Sequence, residues 1–583
     1  MRGVRAAAGV AALLSMNCNG GEPAVFPGAW NADSGASMAK LHANLVGVSG
    51  VPSAEVIVGV TRRGLAGLSL DGRSRWTSPL SVDARPRVAG DLVLASGEGR
   101  LSALDALTGQ LRWSVSTGGR RLVGAAAGES VTIVTLSRRL APGALITIDA
   151  GGNISKSIES SEELGRPAVL GNMLFVPWGR HNISAMSLHS WEEVARLRSR
   201  DLVSHAWVVG GALYFGEQEL LQFDDRVATH STRIRLPPKR LPGNPLWLGK
   251  GSSSEAPEAG AKDAVRVYAR PDSGRGLADQ SLLFVYQRLA MGLAASNGEA
   301  RWVRVMKEPS VGGAAAKSGY VVCLPSGKVE LLASNGAKRK TLEFGFPILS
   351  CQPSVQEYRV VEKASLGPLI AHIGLALRDN DPSLLPAQLY LIEELGAKDS
   401  SEVTRELLEL ASNPRTPQGL IPVLREQIAA RRSGVDHLLA ALRKHYDFLS
   451  DVLRPPPVGP IARALLALQE KRAGPLLAPH LNDPSSSVQD VALVAQALET
   501  LAGASEEEEL RTFFALYRAT ATEPPMIRAV LSVAQALLNV APEASHKLLQ
   551  RAAMDPLTVD EVRFGLNTML DLRDTQPASV YPP

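Results

Sequence analysis

The chain has 583 residues, with 62 Lys and Arg against 58 Asp and Glu, and a formal net charge of +4. This length exceeds what one hydrophobic core usually supports, so we expect two or more domains. The charge is spread along the chain, and no Lys/Arg run is interleaved with aromatic residues, which argues against a nucleic-acid partner.

The first 18 residues have the layout of an export signal. Arg2 and Arg5 precede an apolar stretch from Ala6 to Met16 that is too short to span a bilayer, and Cys18 follows it. The layout resembles a bacterial lipoprotein signal, which implies a lipid on Cys18 and a flexible tether over residues 19–39. Ordinary cleavage and an uncleaved signal anchor are the alternatives, because the residues just before Cys18 depart from the lipoprotein pattern.

Residues 40–355 contain a repeat that predicts a β-propeller. Residues 99–113 predict two short strands around a Thr-Gly turn, and the second strand contains a Trp. Similar segments occur at 68–76, 293–302 and 332–340. Their spacing of under forty residues suits one four-stranded blade. Weaker turns at 151–152, 189–190 and 224–225 bring the count to seven. A strand within 346–355 either closes the ring with an N-terminal strand or belongs to an eighth blade, and residues 251–276 are predicted to be a disordered insertion.

The repeat resembles the PQQ-like, or BamB-like, propeller repeat, whose signature ends in Ala-Leu-Asp-x-x-Thr-Gly-x-x-x-Trp. We assign its residues to the fold rather than to chemistry, because glycine supplies a positive φ, the acidic or amide residue caps the turn, and tryptophan packs between blades. The motif residues are Asp71, Gly72, Trp76, Asp105, Thr108, Gly109, Trp113, Asn297, Gly298 and Trp302.

From residue 366 the sequence becomes rich in Leu and Ala, as packed amphipathic helices are. After a linker at 356–365, residues 366–573 predict helices separated by short polar breaks, many of which contain Asp-Pro or Asn-Pro. The run from Leu476 to Leu498 is similar to a HEAT repeat, which implies an α-solenoid of five or six helix pairs. A plain helical bundle is the alternative. Ser505 to Glu508 is interpreted as a capping box, and residues 574–583 as a disordered tail.

No motif for catalysis, cofactor binding or metal binding occurs in the sequence. His437 and His445 are two helical turns apart and are interpreted as packing or solvated residues. Cys323 and Cys351 are either a disulfide, which an oxidising compartment would favour, or two buried small side chains. The vicinal cysteines of quinoprotein dehydrogenases are absent, so no pyrroloquinoline-quinone (PQQ) cofactor is expected.

These observations predict a non-catalytic binding scaffold: a propeller of seven or eight blades followed by an α-solenoid. The resemblance implies an exported, periplasmic lipoprotein of the outer membrane that binds other envelope proteins and takes part in outer-membrane assembly or an envelope complex. It would contact the membrane through its N-terminal lipid or signal anchor. The alternative is a periplasmic enzyme or sensor that holds a quinone or another small ligand in the propeller channel, with a PQQ-dependent dehydrogenase as the enzymatic case.

Overall fold

A computed structural model describes residues 41, 45, 48, 50–138, 141–198, 202–209, 212–217, 219–222, 234–235, 266–269, 281–294, 299–316, 319–354, 366–444 and 454–574. The chain divides into two compact units. One contains nearly all of the strands, and the other contains the helices from Leu366 onward.

The strands form seven antiparallel sheets of four strands each. Six of the sheets are built from four consecutive strands, β4–β7, β8–β11, β12–β15, β16–β19, β20–β23 and β24–β27, and the seventh has the order β28-β1-β2-β3. This is the architecture of a β-propeller. The strands are β1 Val56–Thr61, β2 Gly64–Ser69, β3 Arg75–Ser78, β4 Arg87–Ala89, β5 Leu92–Gly97, β6 Arg100–Asp105, β7 Leu111–Ser116, β8 Arg121–Ala127, β9 Val131–Arg138, β10 Ala141–Asp149, β11 Ile154–Ser160, β12 Ala168–Leu170, β13 Met173–Trp178, β14 Asn182–Ser187, β15 Glu193–Arg198, β16 Val203–Val209, β17 Ala212–Glu217, β18 Glu219–Gln222, β19 Ile234–Arg235, β20 Arg266–Ala269, β21 Ser281–Tyr286, β22 Leu289–Ala294, β23 Ala300–Val305, β24 Gly312–Ala316, β25 Gly319–Cys323, β26 Lys328–Leu332, β27 Lys338–Glu343 and β28 Ser350–Ser354.

The ring closes where the last strand pairs with the first. β28 lies antiparallel to β1, with Val58 opposite Gln352 and Gly59 opposite Cys351. The predicted strand within 346–355 is therefore the closing strand, and the described residues contain seven blades rather than eight. Closure in this way pairs the edge of β1 that would otherwise be free and completes the first four-stranded sheet.

One part of the predicted insertion is wrong. Residues 266–269, which we assigned to the disordered insertion at 251–276, form strand β20, and this strand begins the sixth sheet. It pairs with β21 in an antiparallel register that places Val267 opposite Phe284. The rest of that predicted insertion lies outside the described residues.

Apolar side chains between neighbouring sheets hold the ring together. In β13 every residue from Met173 to Trp178 is buried, which is the pattern of a strand covered on both faces. A typical inter-blade cluster joins Val58 and Trp76 of the first sheet to Val93 and Leu104 of the next. Burial of such side chains contributes about 1.5–3 kcal/mol each, so the strands owe their stability to these interfaces.

The residues that precede β1 pack on the propeller. Leu41 is fully buried in a cluster with residues of β12 to β17. Val48 lies against Gly171, in the turn between β12 and β13, and the Ala54 amide donates to the carbonyl of Gly90, in the turn between β4 and β5, at 2.7 Å. These described residues before β1 therefore lie on the face of the ring on which the innermost strands end.

Twelve helices follow from residue 366 within the described chain. Consecutive helices pack in pairs, and α2, α4, α6, α8, α10 and α12 form one continuous row in which each helix contacts the next. This stacking is that of an α-solenoid with six helix pairs. The helices are α1 Leu366–Leu377, α2 Leu385–Gly396, α3 Ser401–Ser412, α4 Ile421–Ala429, α5 Val435–Leu442, α6 Val458–Ala467, α7 Gly474–Leu477, α8 Val488–Leu501, α9 Glu507–Tyr517, α10 Pro524–Val540, α11 Pro542–Met554 and α12 Asp560–Asp574.

The helix boundaries follow the predicted polar breaks with two corrections. Asp381 caps a short 3-10 turn before α2 by accepting from the Ser383 amide. The capping box before α9 does not begin at Ser505: the carboxylate of Glu506 instead accepts from the Gly503 amide at 2.6 Å. Helix α12 extends to Asp574, the first residue of the predicted tail.

Candidate functional site

The clearest copy of the propeller motif caps a turn between strands. Asp105 ends β6, and its carboxylate accepts hydrogen bonds from the amides of Leu107 and Thr108, from the Thr108 hydroxyl and from Arg112. The hydrogen bond from Arg112, together with those from Thr108 and Leu107, lowers the pKa of Asp105 to about 2. All four of these hydrogen bonds come from its own hairpin, which gives the carboxylate a structural environment.

The motif tryptophans lie at the interfaces between blades. The indole Nε1 of Trp76 donates to the Ala106 carbonyl of the next sheet at 2.9 Å, and its ring lies against Gly109. Trp113 lies in the same way against Gly152 of the third sheet. Gly72 and Gly109 have φ values of +78° and +71°, which glycine adopts without strain.

The remaining motif residues are only partly described. Asp71 accepts from the Ser69 hydroxyl and from the Arg73 amide. Trp302 is buried in β23 with 1% of its surface exposed. Asn297 and Gly298 lie outside the described residues, as does Cys18.

Cys323 and Cys351 are joined by a disulfide. Cys323 ends β25 in the seventh sheet in chain order, and Cys351 lies in the closing strand β28, so the bond links the two sheets that meet at the ring closure. The amide of Val311 donates to the Cys323 carbonyl and its carbonyl accepts from the Cys351 amide. The disulfide therefore reinforces a backbone connection that already exists.

A groove of about 610 Å³ runs between α8, α10 and α12. Its side chains are exposed or half-buried, so they contribute little to the helical core. The lining combines long polar side chains, which suit hydrogen bonding to a peptide backbone, with four apolar side chains. The lining residues are Gln489, Ala492, Leu493, Gln496, Glu499, Arg528, Leu531, Ser532, Gln535 and Met569.

Polar contacts across the row of helices hold this groove in shape. Asp490 at the start of α8 forms an ion pair with Arg425 of α4, and a Cβ on Gly459 of α6 would clash with the same carboxylate. At the other end, the Asn539 side chain of α10 donates to the carbonyl of Glu499 at 2.9 Å. The sequence did not predict the groove, because its lining comes from three helices whose relative positions only the fold defines.

Within the described ranges, no three His, Cys, Asp or Glu side chains are grouped so as to hold a metal ion. His437 is half-buried on α5, while His445 lies outside those ranges. None of the helices in those ranges is long and apolar enough to cross a membrane.

Comparison with known proteins relates the propeller to one family. Residues 28–228, about a third of the chain, match the family described as outer membrane protein assembly factor BamB. No curated protein matches the chain. Among solved structures, BamB from Moraxella catarrhalis is 15% identical with a TM-score of 0.32, and the match covers 50% of this chain and 85% of that one.

Two other structures give matches of the same quality. Dihydro-heme d1 dehydrogenase NirN, in complex with DHE, is 12% identical with a TM-score of 0.33, covering 50% of this chain and 63% of that one. A chain of the mitotic checkpoint complex is 9% identical with a TM-score of 0.31, covering 43% and 76%. The fold and the family match together define a BamB-like β-propeller that is followed by an α-helical array.

Proposed function

We propose that this protein is a non-catalytic scaffold at the bacterial cell envelope, in which the propeller and the helical array each bind a protein partner. The observation that carries the proposal is the groove between α8, α10 and α12, whose side chains the array does not need for its own core. The match of residues 28–228 to an outer-membrane assembly factor supports an envelope setting and a role in outer-membrane assembly or a related complex. The HEAT-like character of the helices belongs to the same proposal.

The groove can be blocked without touching the core. Ser532 is half-buried in the groove wall on α10, so Ser532→Trp fills the groove, whereas Ala515→Trp places the same ring on the exposed face of α9. Crosslinking of the full-length protein in intact cells, followed by mass spectrometry, should recover at least one envelope protein. That crosslink should be lost in Ser532→Trp and kept in Ala515→Trp. Equal crosslinking in both variants would exclude the groove as the partner surface.

Export and lipidation form a separate part of the proposal. Cys18 would become the lipidated N-terminus, because the preceding segment has the charge and apolar length of a lipoprotein signal. Cys18→Ala should move the protein out of the membrane fraction while the propeller still folds. An unchanged distribution would assign the anchoring to the uncleaved apolar segment or to a partner.

The enzymatic alternative is tested by reconstitution. If the propeller held a quinone cofactor, addition of PQQ would produce alcohol- or sugar-dependent reduction of a dye. We expect no such activity. Dye reduction with substoichiometric PQQ would replace the scaffold by a dehydrogenase.

A further inference from the structure

The groove between α8 and α10 is lined in four successive levels along the two helices. The lining positions are 489, 492–493, 496 and 499 on α8, and 528, 531–532 and 535 on α10. The two helices pack along their length, and their C-terminal ends meet where the Asn539 side chain donates to the Glu499 carbonyl. They therefore run in the same direction, and each level lies one helical turn, about 5 Å, from the next.

The two ends of the groove carry opposite charges. Arg528 is exposed in the first level, and Glu499 is half-buried in the fourth. Neither side chain forms an ion pair with another residue of the described chain, so both charges are available to a ligand. Three helical turns separate the two levels, which corresponds to about 15 Å along the helix axes.

The second level is apolar. Leu493 of α8 and Leu531 of α10 are both half-buried, so part of each side chain faces the groove and not the helical core. An aliphatic side chain of a ligand placed between them would remove apolar surface from water, which is favourable. The apolar contact thus lies between the two charged ends.

Glutamine side chains occupy the first and third levels. Gln489 and Gln496 are exposed on α8, and Gln535 is held on α10 by donating from Nε2 to the Asn539 side chain at 3.0 Å. A primary amide carries both a donor and an acceptor, so it matches the N–H and C=O groups of a peptide. A helical segment satisfies those groups internally, whereas an extended segment leaves them open. The glutamines therefore favour an extended ligand.

The spacing of the levels fits the geometry of an extended chain. Side chains two residues apart face the same side of a strand, and four residues span about 13 Å. A segment in the groove can therefore place an acidic side chain near Arg528, an aliphatic one at the leucines two residues away, and a basic one near Glu499 after two more.

We propose that the groove binds an extended peptide segment in which an acidic and a basic side chain stand four residues apart, with an aliphatic side chain midway. This assignment rests on the proposed function, because it specifies the partner segment that the groove would take. The opposite charges at the two ends of the groove determine the direction in which the segment lies and exclude segments of the reverse charge order.

The first test selects ligands with the full-length protein. A displayed library of random heptapeptides is passed over immobilised Ser532→Trp, in which the groove is filled, and the unbound members are then selected on the unmodified protein. Enriched peptides should contain an acidic and a basic residue four positions apart with Leu, Ile, Val or Met midway. Enrichment of peptides without this pattern, or no enrichment at all, would overturn the proposal.

Charge reversal assigns the binding to the groove. Arg528→Glu should raise the Kd of a synthesised, enriched peptide by about 3- to 10-fold, because repulsion replaces attraction at an exposed position. A peptide whose acidic residue is changed to lysine should regain affinity for this variant. Arg415→Glu makes the same charge change at an exposed position before α4 and should leave the Kd unchanged. Equal Kd values for the two variants would contradict the proposal.

If Ser532→Trp does not fold, as judged by helical circular dichroism, Arg528→Glu replaces it in the subtraction step, because Arg528 is exposed. The crosslink in cells tests separately whether a partner occupies the groove. A crosslink that depends on the groove, together with peptides that lack the charge pair, would overturn only the peptide assignment. Charge-paired peptides that bind, without such a crosslink, would support the peptide assignment and overturn the proposed function.

Discussion

At the scale of single residues, two glycines allow the cost of backbone strain to be measured apart from the cost of a steric contact. Gly99 and Gly109 have nearly equal φ values, +73° and +71°, but a Cβ at Gly99 meets nothing within 4 Å, whereas at Gly109 it comes within 2.5 Å of the Trp76 ring. Gly99→Ala should cost about 1 kcal/mol from the left-handed conformation alone. Gly109→Ala should cost about 3 kcal/mol, because the buried indole must also move. Urea denaturation of both variants measures the difference, and equal losses would mean that Trp76 does not press on this turn.

The lowered pKa of Asp105 predicts how the stability of the propeller changes at acid pH. Its pKa is lowered from 3.8 to about 2 in the folded protein, so its stabilising contribution is complete above about pH 4 and is lost as the pH falls towards 2. The shift corresponds to about 2 kcal/mol. Asp105→Asn should lower the free energy of unfolding by about 1–2 kcal/mol at pH 7 and flatten its pH dependence between 4 and 2. Glu129→Gln, at an exposed turn, is the control, and an identical acid profile in both variants would contradict the assignment.

At the scale of elements, the ring closure depends on a strand that is distant in sequence. β28 must pair with β1, which lies almost 300 residues earlier in the chain. The disulfide from Cys323 to Cys351 holds β28 next to β25 of the neighbouring sheet. The bond joins residues 28 positions apart, for which the chain-entropy model gives about 3.6 kcal/mol. Reduction should lower the denaturation midpoint of the propeller accordingly, while the double variant Cys323→Ala/Cys351→Ala should not respond to the reductant. Two free thiols in protein purified under oxidising conditions would contradict the pairing.

The elements also show where sequence reasoning succeeds. The outer hairpins were predictable because a turn glycine and an interface tryptophan leave a local signature, as in Gly109 and Trp113. Strand β20 was missed because its four residues, beside a Ser- and Pro-rich segment, are too few to show an alternating apolar pattern. They form a strand because they pair with β21.

At the scale of the whole molecule, the two compact units should unfold independently. Repeats contact mainly their neighbours, so the stability of each unit is set within that unit, and a single two-state transition is not expected for the full chain. A reductant acts only on the propeller, which holds the disulfide. Leu498→Ala acts only on the helices, because Leu498 is fully buried in α8 and its truncation should cost about 2–5 kcal/mol.

Thermal unfolding of the full-length protein, followed by far-ultraviolet circular dichroism at wavelengths that weight helix and strand differently, should therefore give two transitions. Reduction should shift the strand transition and leave the helical one in place, and Leu498→Ala should do the reverse. Residues 366–583 expressed alone should be helical with the same midpoint as the helical transition of the full chain. If each perturbation moved both transitions equally, the propeller and the helical array would form one cooperative unit. A partner bound to one unit would then change the stability of the other.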